Sequence, residues 1–227
     1  MTWLALALAA IAGAVDGIGY LLLYHVFTSH MSGNTVTMMI YVANGDWREA
    51  WRHIEPIVVF FIGIVAGIAL TDILVQLRDA RIFAILAGLE FVLLVVFLVL
   101  AHPPRQWMVV WPASAMGVQN AMLRRIGHHR VRTTFITGML TNTALGLVET
   151  VQALTARSND TRKKFADFLL YGSIWLCFAC GGIVAAIVAV RYGTIALLLP
   201  LSGLAALIIY DLIRPLTETA REQASGE

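Results

Sequence analysis

Long apolar stretches alternate with short polar connections along most of the 227-residue chain. Six of these stretches are long enough to cross about 30 Å of hydrocarbon at about 1.5 Å of helix per residue. They fall at about 3–24, 56–77, 82–101, 106–123, 165–190 and 194–213. The pattern predicts an all-α polytopic membrane protein with six transmembrane helices, the first of which is a retained span rather than a cleaved signal peptide.

Two further segments, at about 28–45 and 131–154, are less apolar and are rich in Ser, Thr, Gly and Asn. Glycine beside hydroxyl and amide side chains is typical of helices that are interrupted at membrane depth. We therefore interpret both segments as broken or re-entrant elements that enter and leave on one side of the membrane. Eight full crossings are the alternative.

The positions of the basic residues distinguish six crossings from eight. With six, twelve of the 16 Lys and Arg residues share one face of the membrane and four lie on the other, whereas eight crossings divide them nine to seven. Because cytoplasmic loops carry an excess of basic residues, six crossings fit better. This topology places both termini in the cytoplasm of a bacterial cell, with a short tail at 215–227 and the spans in the inner membrane.

The polar segments also belong to an internal repeat, of about residues 1–102 and 105–214. Ser32-Gly33 aligns with Thr137-Gly138 at an offset of 105, and Asp16 aligns with Gln119 at an offset of 103. Each half supplies three crossings, an odd number, so the second half is inverted relative to the first. The sequence thus predicts a single membrane domain over residues 1–227, built as a 3+3 inverted repeat.

Two paired motifs resemble those of a known family. The first half carries Ala14-Val-Asp-Gly17 followed by Phe27-Thr-Ser-His-Met-Ser-Gly-Asn-Thr35, and the second carries Gly117-Val-Gln-Asn-Ala121 followed by Arg132-Thr-Thr-Phe-Ile-Thr-Gly138. In this order they resemble the YoaK family of bacterial inner-membrane proteins, also called domain of unknown function 1275. The resemblance covers about residues 5 to 213. It implies a multi-pass bacterial membrane protein and leaves the biochemical function to the residues.

Composition excludes a soluble globular protein, since 59% of the residues are apolar and 13% are charged, against about 25% charged in soluble domains. A net charge of +2 is too small to indicate nucleic acid as a partner. The lipid bilayer is the expected partner, and a homo-oligomer is left open. The basic run at 124–132 suits contact with anionic lipid headgroups.

Three acidic residues are candidates for coupling to protons or ions. Asp16 lies deep in the first span, where an unpaired charge costs several kcal/mol, so it must pair, protonate or face water. Glu90 lies in the middle of another span, and Glu149 lies in the second polar segment. For Asp16 and Glu90 a structural hydrogen bond is the competing interpretation, and for Glu149 simple solvation near the cytoplasmic end.

Polar residues recur in both halves and suggest a shared binding site. If the polar segments point inward from opposite faces, their ends meet near the midplane and bind a small polar or ionic solute. Close packing of small residues is the alternative. The expected lining residues are Asp16, Ser32, Gly33, Asn34, Gln119, Asn120, Thr137 and Gly138.

No catalytic, metal or cofactor site is expected. Cys177 and Cys180 lie one helical turn apart without further ligands, and His25 and His30 have no Cys or carboxylate at ligand spacing. The sequence also contains no phosphate loop, dinucleotide fingerprint or nucleophile elbow, so an enzyme is not expected. The favoured function is a small-solute transporter or channel-like permease. The alternative is a non-transporting membrane scaffold or accessory protein.

Overall fold

The computed structural model describes residues 2–77, 81–101, 105–122, 136–158 and 160–216, and every regular element in these ranges is a helix. The basic run at 124–132 and most of the tail at 215–227 lie outside them. Short 3-10 turns at Gln106–Val109 and Gly193–Leu197 lead into the fifth and eighth helices. The helices are α1 (Thr2–Leu22), α2 (Met31–Ala43), α3 (Trp47–Gln76), α4 (Ile82–Leu100), α5 (Val110–Met122), α6 (Ile136–Thr155), α7 (Thr161–Tyr192) and α8 (Leu198–Ile213).

Four helical stretches of the described chain are long and apolar enough to cross a membrane: α1, α3, α4 and the continuous stretch Thr161–Ile213. The last of these contains both α7 and α8, which separate at Gly193, where φ is +59°. By contrast, α2 and α5 each have 13 residues and are about 20 Å long, which is too short to cross alone, but α5 is preceded by the 3-10 turn Gln106–Val109. The chain is therefore a helical transmembrane protein in which α2 differs from the long helices.

The expected helix interruptions do not occur at the glycines of the two polar segments. Gly33 and Gly138 both lie within regular helix, in the first turns of α2 and α6. The chain instead leaves the helical path before α2, at residues 23–30, where Tyr24 and His25 adopt φ values of 58° and 61°. The physical reason is that this connection is held by a carboxylate from α1, described below, so α2 begins after it as an intact helix.

Two helix pairs form antiparallel hairpins. The α2–α3 pair turns at residues 44–46, and the Tyr41 ring stacks on the His53 ring with centroids 5.7 Å apart. Along the α6–α7 pair, Lys164 Nζ lies 2.7 Å from Glu149 Oε2, and one turn deeper the Cα of Gly146 faces Phe168. Each polar segment is thus packed along the helix that follows it.

Other contacts fix the directions of the remaining helices. Gly63 of α3 approaches Gly117 of α5, and Gly67 approaches Ala121 four residues later, so α3 and α5 run in the same direction. The Trp3 ring lies 4.9 Å from the Tyr210 ring, centroid to centroid. Asp211 Oδ2 accepts a hydrogen bond from the backbone N–H of Ala84 at 2.9 Å. The starts of α1 and α4 and the end of α8 therefore lie at one end of the bundle.

If α1–α4 are exchanged in order with α5–α8, several of the helix contacts recur. The most extensive contact joins α1 to α7, and the next joins α5 to α3, which is its counterpart. Likewise α2 packs on α3 as α6 packs on α7, and α4 packs on α5 as α8 packs on α1. Three kinds of helix contact thus occur twice in the chain, whereas the contact of α3 with α4 is not matched to the same extent by α7 with α8.

Candidate functional site

Asp16 is buried in α1, with 5% of its surface exposed, and binds the connection between α1 and α2. Its Oδ1 accepts hydrogen bonds from the backbone N–H groups of Thr28 and Ser29, both at 2.8 Å, and from the Thr28 hydroxyl at 3.0 Å. Its Oδ2 lies 2.5 Å from Nδ1 of His30. A single carboxylate therefore meets four donors and fixes the start of α2.

The imidazole of His30 completes this arrangement and is less buried than Asp16. Its side chain is 28% exposed, against 6% for that of Asp16. The two side chains are in hydrogen-bond contact and form a charge pair when His30 is protonated, which satisfies the requirement that Asp16 find a partner.

A cavity of about 500 Å³ lies beside this pair, between α1, α7 and the connection that precedes α2. Asp16 and His30 line one wall, and the rings of Tyr20, Phe27 and Phe178 line others. The His30 ring lies 5.4 Å from the Phe178 ring and 5.7 Å from the Phe27 ring, measured between centroids. Small residues of α1 and α7 form the floor. The cavity is thus mainly aromatic and aliphatic, with one charge pair at its edge.

The other predicted residues of the first half lie near this cavity and serve mainly to hold the chain. Asn34 is fully buried, donates from Nδ2 to the Phe27 carbonyl at 2.8 Å and accepts the Phe27 N–H on Oδ1 at 3.0 Å. Gly33 packs closely on the Phe27 ring. Ser32 is exposed on the outer face of α2. Asn34 therefore positions an aromatic wall of the cavity rather than lining it.

The predicted residues of the second half lie away from this cavity. Gln119 is buried in α5 and donates from Nε2 to the Leu8 carbonyl of α1 at 2.7 Å. Asn120 is partly buried beside it, and in α6 Gly138 is buried while Thr137 is exposed. None of these four residues lines the cavity next to Asp16. Of the eight predicted lining residues, only Asp16 lies on its wall.

The two other acidic candidates have different environments. Glu90 is completely buried in α4, and neither carboxylate oxygen has a hydrogen-bond partner in the part of the chain that the structure describes. Glu149 is about one-third exposed and pairs with Lys164 across the α6–α7 hairpin. Glu90 is therefore an isolated intramembrane acid, whereas Glu149 belongs to a surface ion pair.

Sequence reasoning missed the partner of Asp16. The spacing along the chain does not predict this contact, because His30 lies 14 positions after Asp16. A signal was nevertheless present, since a buried acid requires a partner and two histidines, His25 and His30, lie in the connection that follows α1. In the described ranges, no three His, Cys, Asp or Glu side chains come together as metal ligands.

Comparison with known proteins gives the family of the chain. The chain is 24% identical over 184 residues to the UPF0700 transmembrane protein YoaK of Bacillus subtilis (strain 168), and the alignment covers 78% of each protein. No solved structure matches. The model of the family described as "Protein of unknown function (DUF1275)" matches residues 4–210. The chain belongs to this family of transmembrane proteins.

Proposed function

We propose that the protein is a small-solute permease whose binding site is the cavity between α1 and α7. The observation that carries this proposal is the buried Asp16–His30 pair at the edge of a cavity of about 500 Å³. Ligand sites are typically concave and mostly apolar, with a few fixed polar groups. An ionisable pair inside a membrane is a functional candidate because its burial is costly.

The topology that goes with this proposal has six crossings and two re-entrant segments. The contacts that define helix direction support it, since α1 and α4 run opposite to α8, and α3 and α5 run in the same direction as each other. In this arrangement α2 and α6 return along α3 and α7 without crossing. Three crossings per half then make the halves inverted repeats, as in many secondary transporters. Both termini lie on one side, assigned to the cytoplasm of a bacterial cell by the basic residues.

Coupling to protons would reside in one half only. The residue that aligns with Asp16 in the second half is the neutral Gln119. Movement of a proton on or off the Asp16–His30 pair changes the hydrogen bonds that hold residues 28–30, and His30 lines the cavity. In this proposal the pair links protonation to opening of the cavity. Glu90 is a second candidate for proton binding.

The test compares uptake of a panel of labelled small solutes by cells with and without the protein. We expect at least one solute to show protein-dependent uptake, and Asp16→Asn to remove its dependence on pH. Ala186→Phe fills the cavity and should abolish uptake, whereas Ile187→Phe places the same side chain at an exposed position outside the cavity and should not. Protein-dependent uptake that all three variants retain would place the pathway elsewhere.

A membrane scaffold is the second candidate, and a specific observation favours it. The side chains of Asn34 and Gln119 both bond to backbone atoms of this chain, as expected of groups that only hold helices together. The two functions differ in the hydration of the cavity. A cysteine at Ala186, with Cys177 and Cys180 replaced by Ala, should react with N-ethylmaleimide if water enters, because the thiolate is the reacting form. An unreactive cysteine, together with the absence of protein-dependent uptake, would favour the scaffold.

A further inference from the structure

We infer that the cavity between α1 and α7 binds a neutral amphipathic molecule, with one hydrogen-bonding head group and an apolar body, that enters from the bilayer. This inference rests on the proposed site and names its ligand class. It narrows the expectation of a polar or ionic solute that the sequence alone suggested. Three properties of the cavity support it: the balanced charge of its wall, the Nε2 atom of His30 and the open edge.

The charge of the cavity wall is balanced. The carboxylate of Asp16 and the imidazole of His30 face each other at 2.5 Å, so their charges offset each other when His30 is protonated. Oδ1 of Asp16 already accepts three hydrogen bonds. A cationic ligand would have to compete with these donors and with His30, and an anionic ligand would meet the carboxylate. A neutral ligand avoids both of these unfavourable electrostatic contributions to binding.

One polar atom of the pair is available to a ligand. Nδ1 of His30 is occupied by Asp16, and no residue in the described part of the chain is hydrogen-bonded to its Nε2. The remaining walls are aromatic rings, aliphatic side chains and glycines, apart from the hydroxyl of Tyr20. A ligand that fits this surface presents one hydroxyl or carbonyl group to His30 and buries an apolar body against Phe27 and Phe178.

The edge of the cavity faces the hydrocarbon. Leu21 and Ile183 line it and are 41% and 60% exposed. Both are apolar residues of membrane-spanning helices, so the molecules that meet this edge are lipids and solutes dissolved among the acyl chains. A molecule that partitions into the bilayer can therefore reach His30 by lateral entry, with its head group leading.

The test uses purified full-length protein in lipid nanodiscs and three photoreactive probes of equal chain length. Each carries a diazirine on a medium-length alkyl chain, which ends in a hydroxyl, a methyl or a trimethylammonium group. Labelled peptides from residues 13–21 and 178–186 are quantified by mass spectrometry. We expect the alcohol to label them about fivefold more than the methyl-ended chain, which is the equivalent of one net hydrogen bond of about 1 kcal/mol. The ammonium probe should not exceed the methyl-ended one.

Substitutions test where the probes bind and which side chain recognises the hydroxyl group. Ala186→Phe should suppress labelling by the alcohol at least fivefold, and Ile187→Phe should leave it unchanged. His30→Phe keeps an aromatic ring and should make the alcohol and the methyl-ended chain equal. Equal labelling of wild-type protein by these two probes, preferential labelling by the ammonium probe, or labelling that Ala186→Phe leaves intact would each overturn the inference.

Because labelling is measured at equilibrium, it is independent of transport. If labelling meets these expectations but the protein has no uptake activity, the proposed ligand class stands and the proposed permease function is wrong. If uptake depends on the protein but labelling shows no preference for the alcohol, the proposed permease function stands and the proposed ligand class is wrong. A cavity occupied by a second copy of the chain would give crosslinked dimers and no labelled peptides, which also overturns the inference.

Discussion

At the scale of single residues, the Asp16–His30 pair is the feature that most constrains function. A carboxylate with three donors on one oxygen and an imidazole on the other is held in one orientation. The same bonds join α1 to the start of α2, so the pair has a structural role whether or not it carries protons. Experiments must therefore separate folding from activity.

The pH dependence of stability tests this pair. The contact of His30 with Asp16 is a charge pair only while the imidazole is protonated, so this contribution to stability is lost as the pH rises through the range in which the imidazole loses its proton. We expect the thermal unfolding temperature of the protein in detergent to fall across that window. His30→Gln should lack this fall, and Asp16→Asn should move it to lower pH. A fall that persists unchanged in both variants would show that another group causes it.

Glu90 gives a second prediction at this scale. An ionised carboxylate without a partner in hydrocarbon costs several kcal/mol, so the side chain is expected in its neutral form. Glu90→Gln should then unfold within about 1 kcal/mol of the wild type, and Glu90→Leu should be equally stable or gain about 1 kcal/mol. Denaturant titration in mixed micelles measures both. A loss of more than about 2 kcal/mol in Glu90→Gln would mean that the acid is ionised and paired.

At the scale of elements, the close crossing of α1 and α7 positions the cavity. A Cβ on Gly13 would overlap the backbone carbonyl of Phe178, and a Cβ on Gly181 would overlap that of Ala10. The equivalent crossing of α5 and α3 has Gly117 against the carbonyl of Phe60. Glycine permits such backbone approach between membrane helices. Because displacing backbone atoms costs much free energy, we expect that neither crossing accepts a residue larger than glycine.

Alanine substitution tests the crossing directly. Gly13→Ala should destabilise the protein by several kcal/mol, because α1 and α7 must separate to admit the methyl group. Gly88→Ala in α4 is the matched control, since a Cβ there meets nothing within 4 Å, and it should be neutral or stabilising by up to about 1 kcal/mol. Unfolding midpoints in one detergent compare the two variants. Equal effects at both positions would contradict a close α1–α7 contact.

At the scale of the whole molecule, the topology predicts where connections lie. Reporter domains fused after Gly45 and after Pro104 should be periplasmic, and those fused after Arg81, Asn159 and Glu227 should be cytoplasmic. The decisive pair is Gly45 and Glu227, because eight full crossings put these positions on the same side and six put them on opposite sides. Alkaline phosphatase and green fluorescent protein fusions report the two locations. Identical signals from Gly45 and Glu227 would remove the inverted repeat.

The approximate positions of the long helices could be predicted from the sequence alone, although α3 begins at Trp47 rather than near residue 56. The spans expected at about 82–101 and 106–123 correspond to Ile82–Leu100 and to the 3-10 turn with α5, Gln106–Met122. Hydropathy determines this much because a helix in hydrocarbon must satisfy its backbone internally and present apolar side chains along its whole length. Both properties depend only on the residues of the helix itself, so they can be predicted without knowing which helices pack against it. The family was likewise readable from motifs that lie on the chain in order.

The composition of the site was decided only by the tertiary structure. The sequence suggested that Asp16 and Gln119 would face one central site, but Asp16 pairs with His30 while Gln119 bonds to Leu8. Gly33 suggested a helix break, yet the break lies at residues 23–30, where Asp16 binds Thr28 and Ser29. A buried polar group must have a partner, and the sequence alone shows which residues have this requirement. Which partner it finds depends on how the backbone turns between helices, and that turn is itself fixed by the contacts that it makes.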